Sequence, residues 1–188
     1  VTLLMVNPLT KFVPFLVGEY PKPFLELFDG ITQNEQLNGE DLKATMWKAY
    51  EFGSRHHEGQ KRRSGDPYFE AHCVEVAKIL ASWNMDHITI IGGLLHDTIE
   101  DTEATFEEIE ETFGTDVANL VNGVSKLGGI RFSSRKAKQA GNFMKMLISV
   151  AKDLRVIIIK FADRLHNMTT ITHMPRIKQH RIAIETRD

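Results

Sequence analysis

A chain of 188 residues with 42% hydrophobic and 26% charged residues, 13 Gly and 6 Pro has the make-up of one folded domain, not of a disordered or low-complexity segment. A formal charge of -2 excludes general polyanion binding, so direct nucleic-acid contact is not expected and an anionic ligand has to be met by local basic clusters. With Cys73 as the one cysteine, an intramolecular disulfide and a thiolate zinc cage are excluded, a reducing, cytoplasmic compartment is the simplest setting, and any metal has to be held by His and carboxylate.

Residues 1–17 are apolar but contain Pro8 and Pro14, are interrupted by Asn7 and Lys11, and lack a basic leader; they read as packed N-terminal structure and not as a targeting signal. No run reaches the ~20 apolar residues of a membrane span, so no membrane partner is expected. Pro21, Pro23 and Gly30 punctuate a short apolar piece over 24–28, and Asn38-Gly39-Glu40-Asp41 opens a long helix expected to reach about His57. Residues 58–67 carry Lys61-Arg62-Arg63 and no apolar periodicity, which predicts a positively charged loop. Helical spacing resumes over 68–83, where Val74, Ala77 and Leu80 share a face.

The stretch 88–100 is apolar all round as far as Leu95, which predicts a buried helix ending in a polar cluster. A Thr-x-x-Glu capping box from Thr105 to Glu108 opens a helix to Phe113, and a further helix fits 116–126 before Gly128-Gly129. Ser133-Ser134 cap a long helix to about Lys152. Residues 153–172 continue in that style, although the run Val156-Ile157-Ile158-Ile159 fits a buried helix or a strand equally. The last segment, from Ile177, ends without a stop signal, as expected of a domain cut from a longer protein. The sum is an all-α fold.

The chemistry gathers at His96-Asp97-Thr98-Ile99-Glu100-Asp101. On a continuous helix His96 lies over Glu100 and Asp97 over Asp101, so four polar groups share one edge. Three carboxylates and an imidazole repel one another and resist desolvation unless a cation sits among them. The competing reading is a solvated acidic helix end. A second carboxylate, Asp163, emerges directly after the apolar run in Lys160-Phe161-Ala162-Asp163-Arg164-Leu165-His166-Asn167. It is either a structural partner of Arg164 or, with His96 and Asp97, part of a mixed nitrogen and oxygen ligand set suited to Mn, Zn or Fe and to activating water.

The His-Asp pair followed at a distance by Asp resembles the HD superfamily of metal phosphohydrolases. The flanking text is similar to the hydrolase domain of Rel/SpoT-type alarmone enzymes: Gly59-Gln60-Lys61-Arg62-Arg63-Ser64-Gly65-Asp66-Pro67-Tyr68, the stretch 94–102, Gly123-Val124-Ser125-Lys126-Leu127 and the stretch 160–168. The likeness runs from about Lys43 to Asp188. It implies a single HD-type helical domain of about eight to ten helices over 41–188, with 1–40 as an N-terminal extension. It also implies manganese-dependent hydrolysis of guanosine tetra- and pentaphosphate, (p)ppGpp, at the 3'-diphosphate, releasing pyrophosphate and GDP or GTP in the bacterial stringent response. Synthetase and regulatory domains often follow in such proteins.

Carried onto this sequence, the resemblance makes His72, His96, Asp97 and Asp163 the metal ligands and Glu100 with Asp101 the general acid/base pair. Arg62, Arg63 and Ser64 fall on the loop that grips the guanine nucleotide, and Asn167 and Thr170 on its sugar and phosphate side. Guanidinium groups match phosphate oxygens in pairs and stack on bases, which agrees with the first of these.

Three departures stand out. Three residues, Phe69-Glu70-Ala71, separate Tyr68 from His72 where the family has two, and Cys73 replaces the proline that follows; His57 is then the rival ligand. Thr169 stands where Arg is usual, and Gly141 with Met144 where Glu and Arg are usual. His56, His87, His173 and His180 read as solvated, His166 as a group behind a ligand, and Met144, Met146 and Leu147 as core. Two further functions fit the same residues: an HD nucleotidase or phosphodiesterase of other substrate, and a nucleotide-binding regulatory module without turnover.

Overall fold

The computed structural model describes residues 20–32, 39–128 and 153–187. The apolar opening, the predicted helix over 133–152 and the positions Asn38, Gly129, Gly141, Met144, Met146 and Leu147 lie outside the described residues. Among the described residues the regular structure is helical, apart from one isolated bridge between Lys61 and Pro67, so the all-α expectation holds. No helix among them is long and apolar enough to cross a membrane.

The punctuated piece near the start is a full helix, α1 (Lys22–Thr32). Pro23 falls in its first turn, where the missing N–H is an orphan anyway, so the proline starts the helix and does not break it. Gly30 faces Ala81 of a later helix, where a Cβ would make an ordinary contact at 3.8 Å, so it does not break the helix and is not required by the packing there. The next helix, α2 (Gly39–His56), ends just short of the predicted His57. A single π-helical turn (Phe69–Cys73) runs into α3 (Val74–Ser82), and Asn84 closes that helix with φ 58°.

The central helix is α4 (His87–Leu94), capped by Asp86, whose carboxylate accepts from the Thr89 N–H at 3.0 Å. Gly92 and Gly93 let it sink into the core: a Cβ at Gly92 would meet Leu120 Cδ2 at 2.7 Å, and one at Gly93 would meet Leu80 Cδ1 at 2.4 Å. The helix is thereby clamped between α3 and α7, and the residues that follow it inherit a fixed place.

After α5 (Thr98–Asp101) come α6 (Phe106–Phe113), with both bonds of the predicted capping box formed between Thr105 and Glu108, and α7 (Thr115–Gly128). The β-branched run is helical, in α8 (Arg155–Thr169), where Val156, Ile157 and Ile159 are buried among helices that leave no sheet to join. A 3-10 turn (Ile171–His173) leads into α9 (Arg176–Arg187). The core runs from Phe24 and Leu27 through Met46, Leu80, Leu94 and Leu120 to Ile159 and Ala162.

Candidate metal centre

The predicted continuous helix over 88–100 is broken at the place where the chemistry lies. The helix α4 stops at Leu94, residues 95–97 form a turn, and α5 restarts at Thr98. Asp97 keeps its one-turn register with Asp101, whose N–H bonds the Asp97 carbonyl at 2.8 Å, but the turn buries His96 and Asp97 and leaves Glu100 and Asp101 exposed on the rim. Side chains drive the break: His96 Nδ1 donates to the Gly93 carbonyl at 2.8 Å and Thr98 Oγ1 to the Leu95 carbonyl at 2.6 Å. His96 is wholly buried and Asp97 nearly so.

His72 reaches the same place from the π-helical turn. The Val74 N–H bonds to the Phe69 carbonyl, an i to i+5 bond that takes one residue more than an α-turn. The extra residue noted between Tyr68 and His72 is thus taken up in the turn, and both side chains still face inward: Tyr68 Oη donates to Asp97 Oδ2 at 2.7 Å, and His72 Nε2 lies 3.3 Å from that oxygen. From α8 comes Asp163, with Oδ1 3.4 Å from His72 Nε2 and 3.9 Å from His96 Nε2.

Ligand atoms of His72, His96 and Asp97 fall within 4.8 Å of one another. His96 Nε2 is buried 3.0 Å from Asp97 Oδ2 without the geometry of a hydrogen bond, so the two atoms are open to a shared cation; His57 Nε2 is buried without a partner as well. Two imidazoles and two carboxylates fit a borderline-hard divalent ion. His57, the rival, is buried beside them but differently engaged: its Nδ1 bonds Gln60 Oε1 at 2.9 Å and its ring stacks on Tyr68.

Charge sorts the carboxylates into two kinds. Burial alone would raise Asp97 and Asp163, but His96 and His72 outweigh it and hold both below the usual carboxylate range, with Lys160 helping at Asp163 from 3.8 Å. Glu100 and Asp101 go the other way: partial burial raises them, and the Asp97 charge adds to it. The inner pair stays ionised, as metal ligands would have to be, while the outer pair keeps protons more readily.

The basic loop folds back across this centre. Arg62 Nη2 donates to Asn167 Oδ1 at 3.0 Å and to Thr170 Oγ1 at 3.2 Å, and its guanidinium lies over the Tyr68 ring at 5.6 Å. Arg63 and Ser64 join Arg62, Tyr68, Thr170 and His173 around a cavity of about 270 Å³. Asn167 also donates to Asp163 Oδ1 at 2.5 Å, so the loop and the converging imidazoles and carboxylates are one bonded network. All eleven site residues taken from the sequence lie at this centre, in its bonded network or on its cavity wall.

Residues that sequence reasoning passed over also belong here. Tyr68 and Gln60 sit inside the quoted motif and were visible there, but nothing in their spacing announces that one bonds Asp97 and the other the Asp101 carbonyl, at 2.9 Å. His166, unlike these two, is already legible in the sequence as a group behind a ligand; it stands behind His72, with the two Nδ1 atoms 2.9 Å apart, and burial with the nearby His72 and Arg62 lowers it to about 4. His56 is half-buried against Phe52 and not solvated, because α2 turns that face to α6.

A family model described as an HD domain matches residues 49–188. The chain is 54% identical over 144 residues to a Myxococcus xanthus protein named GTP pyrophosphokinase, covering 75% of this chain and 19% of that one. It is 47% identical over 161 residues to the bifunctional (p)ppGpp synthase/hydrolase SpoT of Escherichia coli (strain K12), covering 85% and 23%. Among solved structures it is similar, with a TM-score of 0.59 and 23% identity over 78% of this chain and 82% of the other, to one described as a metazoan ortholog of SpoT that hydrolyzes ppGpp and plays a role in starvation responses; that likeness speaks for the fold. The chain spans about a fifth of the length of the curated relatives it matches.

Proposed function

This chain belongs to the HD domain family, in its Rel/SpoT branch, and from that premise we propose that it hydrolyses (p)ppGpp at the 3'-diphosphate, releasing pyrophosphate and GDP or GTP. The observation that carries the reading is the convergence of His72, His96, Asp97 and Asp163 on one point, with Glu100 and Asp101 on one rim and the Arg62 loop on another. The four inner residues would hold a divalent ion, which we take to be Mn2+. Such an ion supplies acidity to water and neutralises phosphate oxygens when it is bound.

The protein's own residues do the rest. Glu100 and Asp101, whose carboxyls are held above their ordinary range, take a proton from the attacking water and return one to the leaving side. Arg62 has the neutral partners Asn167 and Thr170 in the free protein, so its charge is available to a phosphate or a base without first leaving a carboxylate. Arg63 and Ser64 grip the guanine nucleotide with it, and Asn167 and Thr170 line the sugar and phosphate side. We read 41–188 as the catalytic domain and 1–40 as an extension, within a cytoplasmic protein of the stringent response. The far greater length of the relatives supports synthetase and regulatory domains beyond this segment.

Purified chain with Mn(II) and ppGpp should release one pyrophosphate per GDP formed, followed by anion-exchange chromatography. Hydrolysis of other nucleotides from a panel with ppGpp left intact would move the assignment to a general HD nucleotidase. Binding of ppGpp without any turnover would make it a regulatory module.

A further inference from the structure

The two imidazoles at the centre are oriented by different means. His96 gives its Nδ1 proton to a backbone carbonyl, Gly93, which no side-chain substitution removes. His72 has its Nδ1 2.9 Å from the Nδ1 of another side chain, His166. Two neutral nitrogens at that distance share a single proton, since two lone pairs repel and two N–H groups clash. Whichever ring donates decides the state of the other.

If His166 donated, the neutral His72 would carry its proton on Nε2, against Asp97 Oδ2 and Asp163 Oδ1, and no lone pair would face the point those carboxylates share. If His72 donates, its Nε2 presents a bare lone pair to that point. We infer that His166 is a positioning residue: by accepting the Nδ1 proton of His72 it holds that ring in the tautomer that can ligate a divalent cation. The inference rests on the metal reading of the centre given above.

The surroundings suit His166 to the part. It is 6% exposed and lies one turn after Asp163 on α8, so the acceptor and the carboxylate ligand move as one body. Its own backbone carbonyl accepts from the Thr169 and Thr170 hydroxyls at 2.8 and 3.1 Å, which ties down the end of that helix. Groups behind metal-bound histidines set ring orientation and ligand basicity, and their removal lowers metal affinity on the order of 10- to 100-fold.

The test is Mn(II) titration calorimetry on the native chain, His166→Phe and His166→Asn, with a long-range proton–nitrogen spectrum of the imidazoles in the Zn(II)-loaded native protein. The phenylalanine variant should lose roughly 10- to 100-fold in affinity, while asparagine, whose carboxamide oxygen can stand near the place of Nδ1, should stay close to native. The loaded native spectrum should show the His72 proton on Nδ1. Equal affinity in His166→Phe, or a His72 proton on Nε2 in the loaded protein, overturns the inference. Should the phenylalanine variant not fold, the asparagine variant and the spectrum still decide. A native chain that takes up no divalent ion sinks the metal reading itself, whereas a native chain that binds and a phenylalanine variant that binds equally sinks the role of His166 alone.

Discussion

Gln60 Nε2 donates to the backbone carbonyl of Asp101 at 2.9 Å, joining the basic loop to the end of the helix that carries Glu100 and Asp101. The other side of the amide is held too, because its Oε1 bonds His57 Nδ1 at 2.9 Å, so the donor has only one way to face. Gln60→Glu keeps the shape but replaces the donor with a carboxylate that repels both the carbonyl and Asp101. We expect kcat to fall about tenfold, the equivalent of one hydrogen bond of ~1–1.5 kcal/mol, with Mn(II) affinity unchanged. Steady-state kinetics beside calorimetry check this; an unaltered kcat would remove Gln60 from any positioning part.

Three groups of the centre meet on one oxygen of Asp97: Tyr68 Oη, His72 Nε2 and His96 Nε2 all stand within 3.3 Å of its Oδ2. Asp97→Ala should abolish Mn(II) uptake and turnover together, measured by metal analysis after dialysis and by pyrophosphate release. A variant that still retains one metal per chain would place the ion elsewhere.

Asp101 and Glu100 should leave a mark on the pH dependence of the rate. Burial and the Asp97 charge raise both carboxyls, so the protonated form persists to higher pH than for a free side chain, and the acid limb of kcat/KM should turn over above the ordinary values of roughly 3.9–4.3. Asp101→Asn should lose about 10²- to 10⁴-fold in kcat and erase that limb. A limb that survives in Asp101→Asn and disappears in Glu100→Gln would hand the proton to Glu100 alone.

How much of this was written in the sequence differs from residue to residue. The capping box at Thr105, the basic loop and the all-α sum follow from local chemistry and were legible there. The break at Leu95 was not, since apolar periodicity runs straight through it and the cause is tertiary: glycines that bury α4 and side chains that bond back to its last carbonyls. Likewise an extra residue before His72 can be counted in the sequence, but whether it turns the histidine away or is absorbed depends on the helix it enters. Tyr68 and Val74 flank the π-turn with ordinary α-helical dihedrals, which is what absorption looks like.

That contrast gives a prediction. Deleting Ala71 shortens the turn by one residue and should let the i to i+4 bonds of α3 run back through Tyr68, with His72 still facing inward. Mn(II) affinity should stay close to native and the melting temperature should not fall. Loss of metal binding in a well-folded deletion variant would show that the π-turn itself aims His72.

Mild acid should act on the metal-free protein through His166 and His57 in one direction and through His96 in the other: burial lowers His96 too, but Asp97, Asp163 and the Gly93 carbonyl outweigh it and raise it, so its contribution grows as pH falls. His166 is lowered to about 4 and His57 is lowered as well, in both cases first by burial, so folding favours the neutral rings. A base whose folded value is depressed contributes stability that is complete above its unfolded value of about 6.5 and is lost as pH falls through the folded one. For His166 that contribution is roughly 3 kcal/mol, released between about pH 6.5 and 4. Asp97 and Asp163 are held low and begin to lose their share only as pH drops below about 3.9, so the milder window belongs to the histidines. Thermal melts in chelator at pH 7.5 and 4.5 should show a larger drop for the native chain than for His166→Asn, a comparison in which His96 and His57 are common to both. Equal drops would mean that His166 is already charged in the folded protein, and that the neutral acceptor facing His72 does not exist in the absence of metal.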